Sequence, residues 1–215
     1  RVYAQAKAGL ASLMERRVLI QEDEQAIWLY RQTMGEHVQI GFVGCANVDD
    51  YASGRIKRHE FTRKVKEDDR TRHVHETGAN AGPVFLTTRS IDGLVEFQRR
   101  MMRGEPDIHV VGAHDVKHEC WAIRNDGALR TLEQLLAQTD AFYIADGHHR
   151  AASALRCRDL MRATEPHASK TVAWERFLVV VFPSEQLDIL AYNRVVLDLN
   201  GWDEPGLLSA LNETF

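Results

Sequence analysis

The sequence is poor in the residues that mark several classes of protein. Its three cysteines, Cys45, Cys120 and Cys157, are an odd number without close spacing, which excludes a full disulfide framework and a CxxC metal or redox motif. Five prolines and fourteen glycines among 215 residues exclude collagen-like and low-complexity sequence. We therefore expect each cysteine to be a small core residue of a protein in the reducing cytoplasm.

Long apolar runs and a strong excess of one charge are missing as well. No segment approaches the roughly twenty apolar residues that a membrane helix needs, and Arg1–Arg17 does not follow the pattern of a secretory signal. We therefore expect no membrane partner. A net charge of −4, from 27 basic and 31 acidic residues, gives no overall footprint for nucleic acid.

What is present is typical of a globular chain that mixes strands and helices. Apolar residues make up 44% and charged residues 27% of the sequence. Strand and helix patterns alternate irregularly, with several hairpins, which predicts an α+β fold: a mixed sheet with hairpins and flanking helices, rather than a doubly wound parallel sheet. Residues 1–215 are expected to form a single domain. Because helical patterns are already under way at Val2 and unfinished at Phe215, we expect this domain to be a fragment of a longer chain.

The periodicity of apolar residues and the turn residues between them predict individual elements. Strands are predicted at 26–32, 38–48, 84–88, 108–112, 119–124, 142–145, 177–182 and 187–192, with the first two and the last two forming hairpins. Helices are predicted at 2–14, 91–103, 129–138, 148–162 and 205–215. A loop is predicted at 49–54 and a turn at 125–127.

The sharpest candidate site is the segment FYIADGHHRAASAL, residues 142–155. A strand ends at Asp146-Gly147, and His148, His149 and Arg150 open a helix. The first N–H groups of a helix have no partner within it and carry partial positive charge, and Gly147 allows a tight turn and a close approach of an anion. This pattern predicts a phosphate-binding site.

Two other interpretations of this segment are weaker. The histidines could be solvated residues at a helix start, with Arg150 paired to a neighbouring acid. However, cationic groups at a helix N-terminus are disfavoured unless an anion is bound. Zinc binding by both histidines is disfavoured because adjacent helical residues point about 100° apart.

A second candidate is the charged stretch Arg55–Arg70, in which eleven of sixteen residues are ionic and seven are basic. Such a run is usually a solvated helix or loop, and Phe61 and Val65 are too few to define an amphipathic helix. It nevertheless leads into the small residues of 77–82, which suit a close backbone approach. Its carboxylates, mixed with Arg, Lys and His, could hold a divalent ion and neutralise phosphate oxygens in phosphoryl transfer, with Glu60 as the first choice and His59 beside it.

Other motifs are weaker candidates for a functional site. HDxxH at His114, Asp115 and His118 could seat a metal but is more typical of a polar hairpin, and Asn193 and Arg194 could cap a preceding strand. A P-loop, GxGxxG, GxSxG and HExxH are all missing from the sequence.

The sequence resembles a family known as domain of unknown function 1015, which itself looks like part of the ParB/sulfiredoxin-like superfamily. The segment ADGHHR is the most specific of the matching stretches, which follow one another in the family's order across most of the chain. These are IKRHEFTRKVKEDDR, TGANAGPVFLT, VKHECWAI, YIADGHHRAASA and LAYNRVVLDLNG. Family members usually carry a further N-terminal segment with a proline-tyrosine-aspartate motif.

The resemblance implies roles for single residues. In the superfamily a strand–turn–helix box that ends in an arginine binds nucleotide phosphates, which implies that Gly147, His148, His149 and Arg150 hold phosphates. It implies that Asp146 helps to bind a metal or the substrate hydroxyl. Sulfiredoxin has its catalytic cysteine where this chain has His148, so sulfinic-acid repair is excluded. ParB partition proteins add a DNA-reading helical domain that this sequence lacks.

These observations lead to one function hypothesis and two rivals. The first is a cytoplasmic nucleotide-binding protein that carries out phosphoryl transfer to a small hydroxylated metabolite, or nucleotide hydrolysis. It would use ATP or ADP with Mg²⁺, and Glu60, His59 and Asp146 as catalytic residues. The rivals are a non-catalytic regulatory module that senses a nucleotide or anion, and a nuclease or nucleic-acid-binding protein, which the acidic balance disfavours. The metal and the oligomeric state, a homodimer included, stay open.

Overall fold

The computed structural model describes residues 1–169 and 171–214, and its strands form one mixed sheet. The strands are β1 (Ile27–Met34), β2 (His37–Asn47), β3 (Ile56–Lys57), β4 (Val84–Thr88), β5 (Ile108–Val111), β6 (Lys117–Ile123), β7 (Phe142–Asp146) and β8 (Arg176–Pro183). The helices of the described residues are α1 (Val2–Glu15), α2 (Val48–Ala52), α3 (Lys64–Thr77), α4 (Leu94–Met101), α5 (Asp126–Leu136), α6 (His148–Thr164) and α7 (Glu204–Thr214).

The sheet has the strand order β3-β7-β4-β8-β2-β1-β6-β5. Two pairs, β3 with β7 and β4 with β8, are parallel, and the remaining pairs are antiparallel. The predicted hairpin between the first two strands is confirmed, with Gly35 at a φ of 57° in its turn. The prediction of a mixed sheet with flanking helices is therefore confirmed.

Two clusters of buried side chains hold helices against the sheet. One joins α2 and α6 to strands that include β4 and β7, with Val48, Val84, Ile144 and Ala151 at 1% exposure or less. The other joins α4 and α5 to β1, β2 and β6. The alanines of α6 lie in the first cluster and allow this helix to pack closely, so the segment after Gly147 is held firmly in place.

Three local predictions are wrong. Residues 49–54 do not form only a loop, because the side chain of Asn47 accepts a hydrogen bond from the amide of Asp49 at 2.9 Å and so caps the short helix α2. The predicted turn at 125–127 is the start of α5, which Asn125 caps in the same way through the amide of Ala128. Residues 187–192 form no strand, because both edges of β8 are already paired with β2 and β4.

The charged stretch runs from β3 into the helix α3, which begins at Lys64 and has no apolar face of its own. Phe61 and Val65 are 94% and 78% exposed. Instead, α3 packs along α6, and Arg156 of α6 forms ion pairs with Asp68 at 2.6 Å and with Glu67 at 3.5 Å. Tertiary ion pairs thus stabilise a helix that sequence periodicity does not indicate.

Two further predictions, on the last helix and on the cysteines, hold only in part. The predicted helix 205–215 corresponds to α7 but extends to residue 215, which lies outside the described residues. Of the three cysteines, Cys157 is buried as expected, Cys120 is half-buried and Cys45 is exposed, so the prediction of a core position is wrong for Cys45.

Candidate functional site

The strand–turn–helix segment has the predicted backbone. β7 ends at Asp146, Gly147 turns the chain with a φ of 96°, and α6 begins at His148. The carbonyl oxygen of Gly147 accepts hydrogen bonds from the amides of Arg150 and Ala151. Because glycine has no side chain that could cap the helix, the first N–H groups of α6 depend on water or on a ligand for acceptors.

Arg150 lies across this turn and forms an ion pair with Asp146. Its Nη2 atom donates to Oδ2 of Asp146 at 2.6 Å. A Cβ atom added to Gly147 would lie 2.9 Å from Nε and Nη2 of Arg150, so the guanidinium itself occupies the space that the glycine leaves. The pair is at the surface, with the two side chains 35% and 74% exposed. The guanidinium can therefore exchange this carboxylate for another anion.

Two nitrogen atoms in this segment are buried without a hydrogen-bond partner among the described residues. They are Nδ1 of His149 and Nε of Arg150. Buried polar atoms are usually paired, because leaving one unpaired costs about 1–3 kcal/mol. Two such atoms on neighbouring residues therefore indicate a place where a ligand or water completes the structure.

The charged segment meets this box in two places: its start through the strand pair β3 and β7, and its end where Ser153 of α6 donates to the carbonyl oxygen of Glu67 in α3. β3 runs parallel to β7, with Ile56 opposite Phe142 and Lys57 opposite Tyr143. The carboxyl ends of parallel strands lie at the same edge of a sheet. His59 and Glu60, which follow β3, are thereby brought beside His148, which follows β7.

These three side chains are in direct contact. Nδ1 of His148 lies 3.3 Å from Oε1 of Glu60. The rings of His59 and His148 are edge to face with centroids 4.4 Å apart, and the backbone amide of His59 lies 3.5 Å from Nε2 of His148. Two residues predicted as catalytic and one predicted as a phosphate ligand therefore form one cluster.

The side chain of His148 is 4% exposed and faces this cluster. Burial lowers the pKa of His148 below its ordinary value, and the neighbouring His59 lowers this pKa further, against the opposing effect of Glu60. The imidazole is therefore mainly neutral at pH 7. A hydrogen bond from Nδ1–H to Glu60 would leave Nε2 as an acceptor for the amide of His59.

A small cavity bordered by Arg150 adds residues that the sequence did not single out. It has a volume of about 60 Å³ and lies between α3 and α6, with Arg70, His73 and Arg150 in its lining. Gly82 also borders it, which places the small-residue segment 77–82 against the arginine as its composition suggested. Arg70 and His73 are three residues apart and share a helix face, but this signal depends on knowing that α3 is a helix.

The lesser candidates do not assemble into a site. Nδ1 of His118 lies 2.6 Å from the hydroxyl of Tyr30, whereas His114 and Asp115 are exposed in a left-handed turn. Within residues 1–169 and 171–214, the sole group of three or more potential metal ligands in mutual contact is His59, Glu60 and His148. Asn193 and Arg194 follow no strand, so the prediction that they cap one is wrong.

Comparison with known proteins confirms the resemblance to the family known as domain of unknown function 1015. A family model described as protein of unknown function (DUF1015) matches residues 1–215, and the chain belongs to this family. No curated protein and no solved structure matches the chain. Among the described residues, no helix is long and apolar enough to cross a membrane.

Proposed function

We propose that this protein binds an adenine nucleotide and transfers or hydrolyses its terminal phosphoryl group, as a member of the ParB/sulfiredoxin-like superfamily. One observation carries the proposal. Glu60, from the charged segment, lies 3.3 Å from His148, the first residue of the helix that follows the phosphate box. A carboxylate thus stands beside the place where phosphate would bind.

Phosphate binding rests on α6 and its surroundings. The first turn of α6 offers N–H groups without a side-chain cap, and helix N-termini bind anions through such groups. Arg150 borders both this turn and the cavity that contains Arg70 and His73. Several positive groups near Arg150 suit a chain of phosphates better than a single small anion.

The chemistry requires stabilised charge on the phosphoryl oxygens and a group that handles the acceptor proton or holds a divalent ion. Arg150 would supply positive charge, and Glu60, which is 54% exposed, is placed to meet an incoming hydroxyl group or water. Asp146 and Glu60 both lie near His148 and offer the oxygen atoms that Mg²⁺ prefers. When bound, Mg²⁺ would neutralise charge on the phosphates.

The test compares nucleotide binding and turnover in three forms of the chain. We expect ATP or ADP with Mg²⁺ to bind the unmodified chain in calorimetry, and Arg150→Ala to weaken binding by about 10-fold or more, since charge-assisted hydrogen bonds contribute about 1.5–3 kcal/mol. Glu60→Gln should keep binding but lose turnover with a panel of small hydroxylated acceptors. Arg130→Ala, an exposed arginine of α5, is the control. If neither nucleotide binds the unmodified chain, the proposal fails.

A second candidate is a regulatory module that senses an anion without turnover. It is favoured by the ion pair between Arg150 and Asp146, because exchange of Asp146 for a ligand would be a direct signal of binding. The same experiment separates the two functions, since a sensor binds through Arg150 but gives no product. Nucleic acid is disfavoured because Lys64 and Arg72 of α3 are paired with Asp68 and Glu76 at 3.3 and 3.8 Å.

A further inference from the structure

We infer that His59, Glu60 and His148 form a binding site for a divalent transition-metal ion such as Zn²⁺ or Co²⁺, rather than for Mg²⁺ alone. Each residue offers one ligand atom, and these atoms all lie within 4.8 Å of one another. This inference deepens the proposed function, because it gives Glu60 the role of a metal ligand. It can nevertheless be tested without any nucleotide.

The separation of the donor atoms suits a small ion. Ligand atoms at about 2.1 Å from a tetrahedral Zn²⁺ lie about 3.4 Å from one another. Nδ1 of His148 and Oε1 of Glu60 are already 3.3 Å apart. The rings of His59 and His148, with centroids 4.4 Å apart, can place one nitrogen each toward the same point with a change in the exposed His59 side chain.

The chemistry of the donors favours a transition metal. Two imidazoles and one carboxylate are a ligand set that Zn²⁺ and related ions bind in proteins. Mg²⁺ instead prefers oxygen atoms in an octahedral arrangement and gives up its water reluctantly. The cluster offers one oxygen-bearing group against two nitrogen ligands, so we expect its preference to lie with Zn²⁺ and Co²⁺.

The surroundings hold one ligand firmly and leave the others accessible. His148 is buried, whereas His59 and Glu60 are exposed. Coordination through Nδ1 of His148 would replace its 3.3 Å contact with Glu60 by bonds from both groups to the ion. It would also move the imidazole proton to Nε2, which gives up the 3.5 Å contact with the amide of His59. Three protein ligands leave a fourth position open, as in catalytic rather than structural zinc sites. A phosphate or water oxygen could occupy it.

The experiment titrates the full chain, freed of metal by a chelator, with Zn²⁺, Co²⁺ and Mg²⁺ in separate calorimetric runs. We expect one Zn²⁺ or Co²⁺ per chain, bound at least about 100-fold more tightly than Mg²⁺. Glu60→Gln, His59→Ala and His148→Ala should each weaken Zn²⁺ binding by at least about 100-fold. Since Glu60 and His59 are exposed, their variants test the site even if His148→Ala does not fold.

Two control variants exclude other sources of binding. His109→Ala removes an exposed histidine of β5, and Cys45→Ser removes the exposed thiol; both should leave Zn²⁺ affinity unchanged. The inference is overturned if Zn²⁺ affinity survives in Glu60→Gln, if only Cys45→Ser abolishes it, or if Mg²⁺ binds as tightly as Zn²⁺. If Zn²⁺ binds as expected but no nucleotide does, the metal site stands and the proposed function falls.

Discussion

The side chains of Gln98 and Gln186 are joined by a hydrogen bond of 2.8 Å, and Gln98 has no exposed surface. The network closes on the backbone of β2, because Nε2 of Gln98 donates to the carbonyl oxygen of Ile40 at 2.9 Å and the side-chain oxygen Oε1 of Gln186 accepts from the amide of Ile40 at 2.8 Å. These hydrogen bonds connect α4, β2 and the turn that contains Gln186, directly after β8.

Replacement of Gln98 by leucine should therefore destabilise the protein. Gln98→Leu keeps a similar volume but leaves the Ile40 carbonyl and the Gln186 amide without their partner, which costs about 2 kcal/mol. Urea unfolding measures the change. Gln138→Leu, at an exposed position, should change the free energy of unfolding by less than about 0.5 kcal/mol. Equal effects of the two variants would mean that the buried network contributes nothing.

Gly147 offers a test of the turn in the candidate site against a matched glycine. Both Gly147 and Gly54 have a positive φ, of 96° and 82°, but an added Cβ meets nothing within 4 Å at Gly54. At Gly147 it would lie 2.9 Å from Arg150 and 3.2 Å from the Cα of Val84. Backbone strain should cost about 1–2 kcal/mol in either alanine variant.

Gly147→Ala should be the more damaging of the two changes, because the Cα of Val84 is a backbone atom that cannot move aside as the guanidinium of Arg150 can. We expect a larger loss of unfolding free energy than in Gly54→Ala and weaker nucleotide binding, both measured in one thermal-shift series. Identical melting temperatures for the two variants would contradict a close approach of the Val84 backbone to Gly147.

Asp146 and a bound anion would compete for Arg150, because the ion pair between Asp146 and Arg150 must open before the anion can bind. Asp146→Asn removes the competing charge, and since an exposed ion pair contributes about 0.2–1 kcal/mol, inorganic phosphate should bind up to about 5-fold more tightly. Calorimetry with phosphate measures this. The control is Asp92→Asn, an exposed carboxylate at another place in the fold. Weaker phosphate binding in Asp146→Asn would instead make Asp146 part of the binding site.

Acid should weaken the sheet at the contact between β1 and β6. Arg31 donates two hydrogen bonds of 2.7 Å to Glu119, and these hold the pKa of Glu119 below its ordinary value. A carboxyl group whose pKa is lowered by folding stabilises the protein above its unfolded-state pKa, and this contribution is lost as the pH falls through the folded-state value.

The matching variant is Glu119→Gln. It should lower the free energy of unfolding at pH 7 and make stability depend less on pH below about pH 5. Urea unfolding at a series of pH values measures both effects. Glu96→Gln, in a 3.9 Å exposed ion pair with Arg99, should follow the unmodified protein throughout. A parallel acid profile for Glu119→Gln would contradict the assigned role.

The sequence predicted the elements with strong local signals. The first hairpin, the strand at residues 84–88 and the turn at Gly147 lie where alternation and turn residues indicate. The helix α3 was not predicted because its stabilising partners lie on α6, far along the chain. The strand predicted at 187–192 has suitable residues but no free edge of β8 to pair with.

In the candidate site, too, local features were predicted from the sequence and contacts between distant segments were not. Each half was predicted from its own residues, with His59 and Glu60 in one segment and the box after Ala145 in the other. Their meeting depends on β3, which has two residues and pairs in parallel with β7, and on the packing of α3 along α6. A strand so short leaves no periodic signal, and a parallel pair has no turn to reveal it. Arg70 and His73 were missed for the related reason that α3 was not recognised as a helix.

Because β3 lies at the edge of the sheet, the candidate site is expected to unfold locally before the rest of the protein. Its two residues are all that fix Glu60 and His59 beside α6 through the sheet, and an outermost strand of this length frays at a lower free energy than the core unfolds. Moderate warming would then separate His59 and Glu60 from His148 while the rest of the fold persists. Amide hydrogens of residues 56–60 would exchange with solvent well before those of β2 or β8.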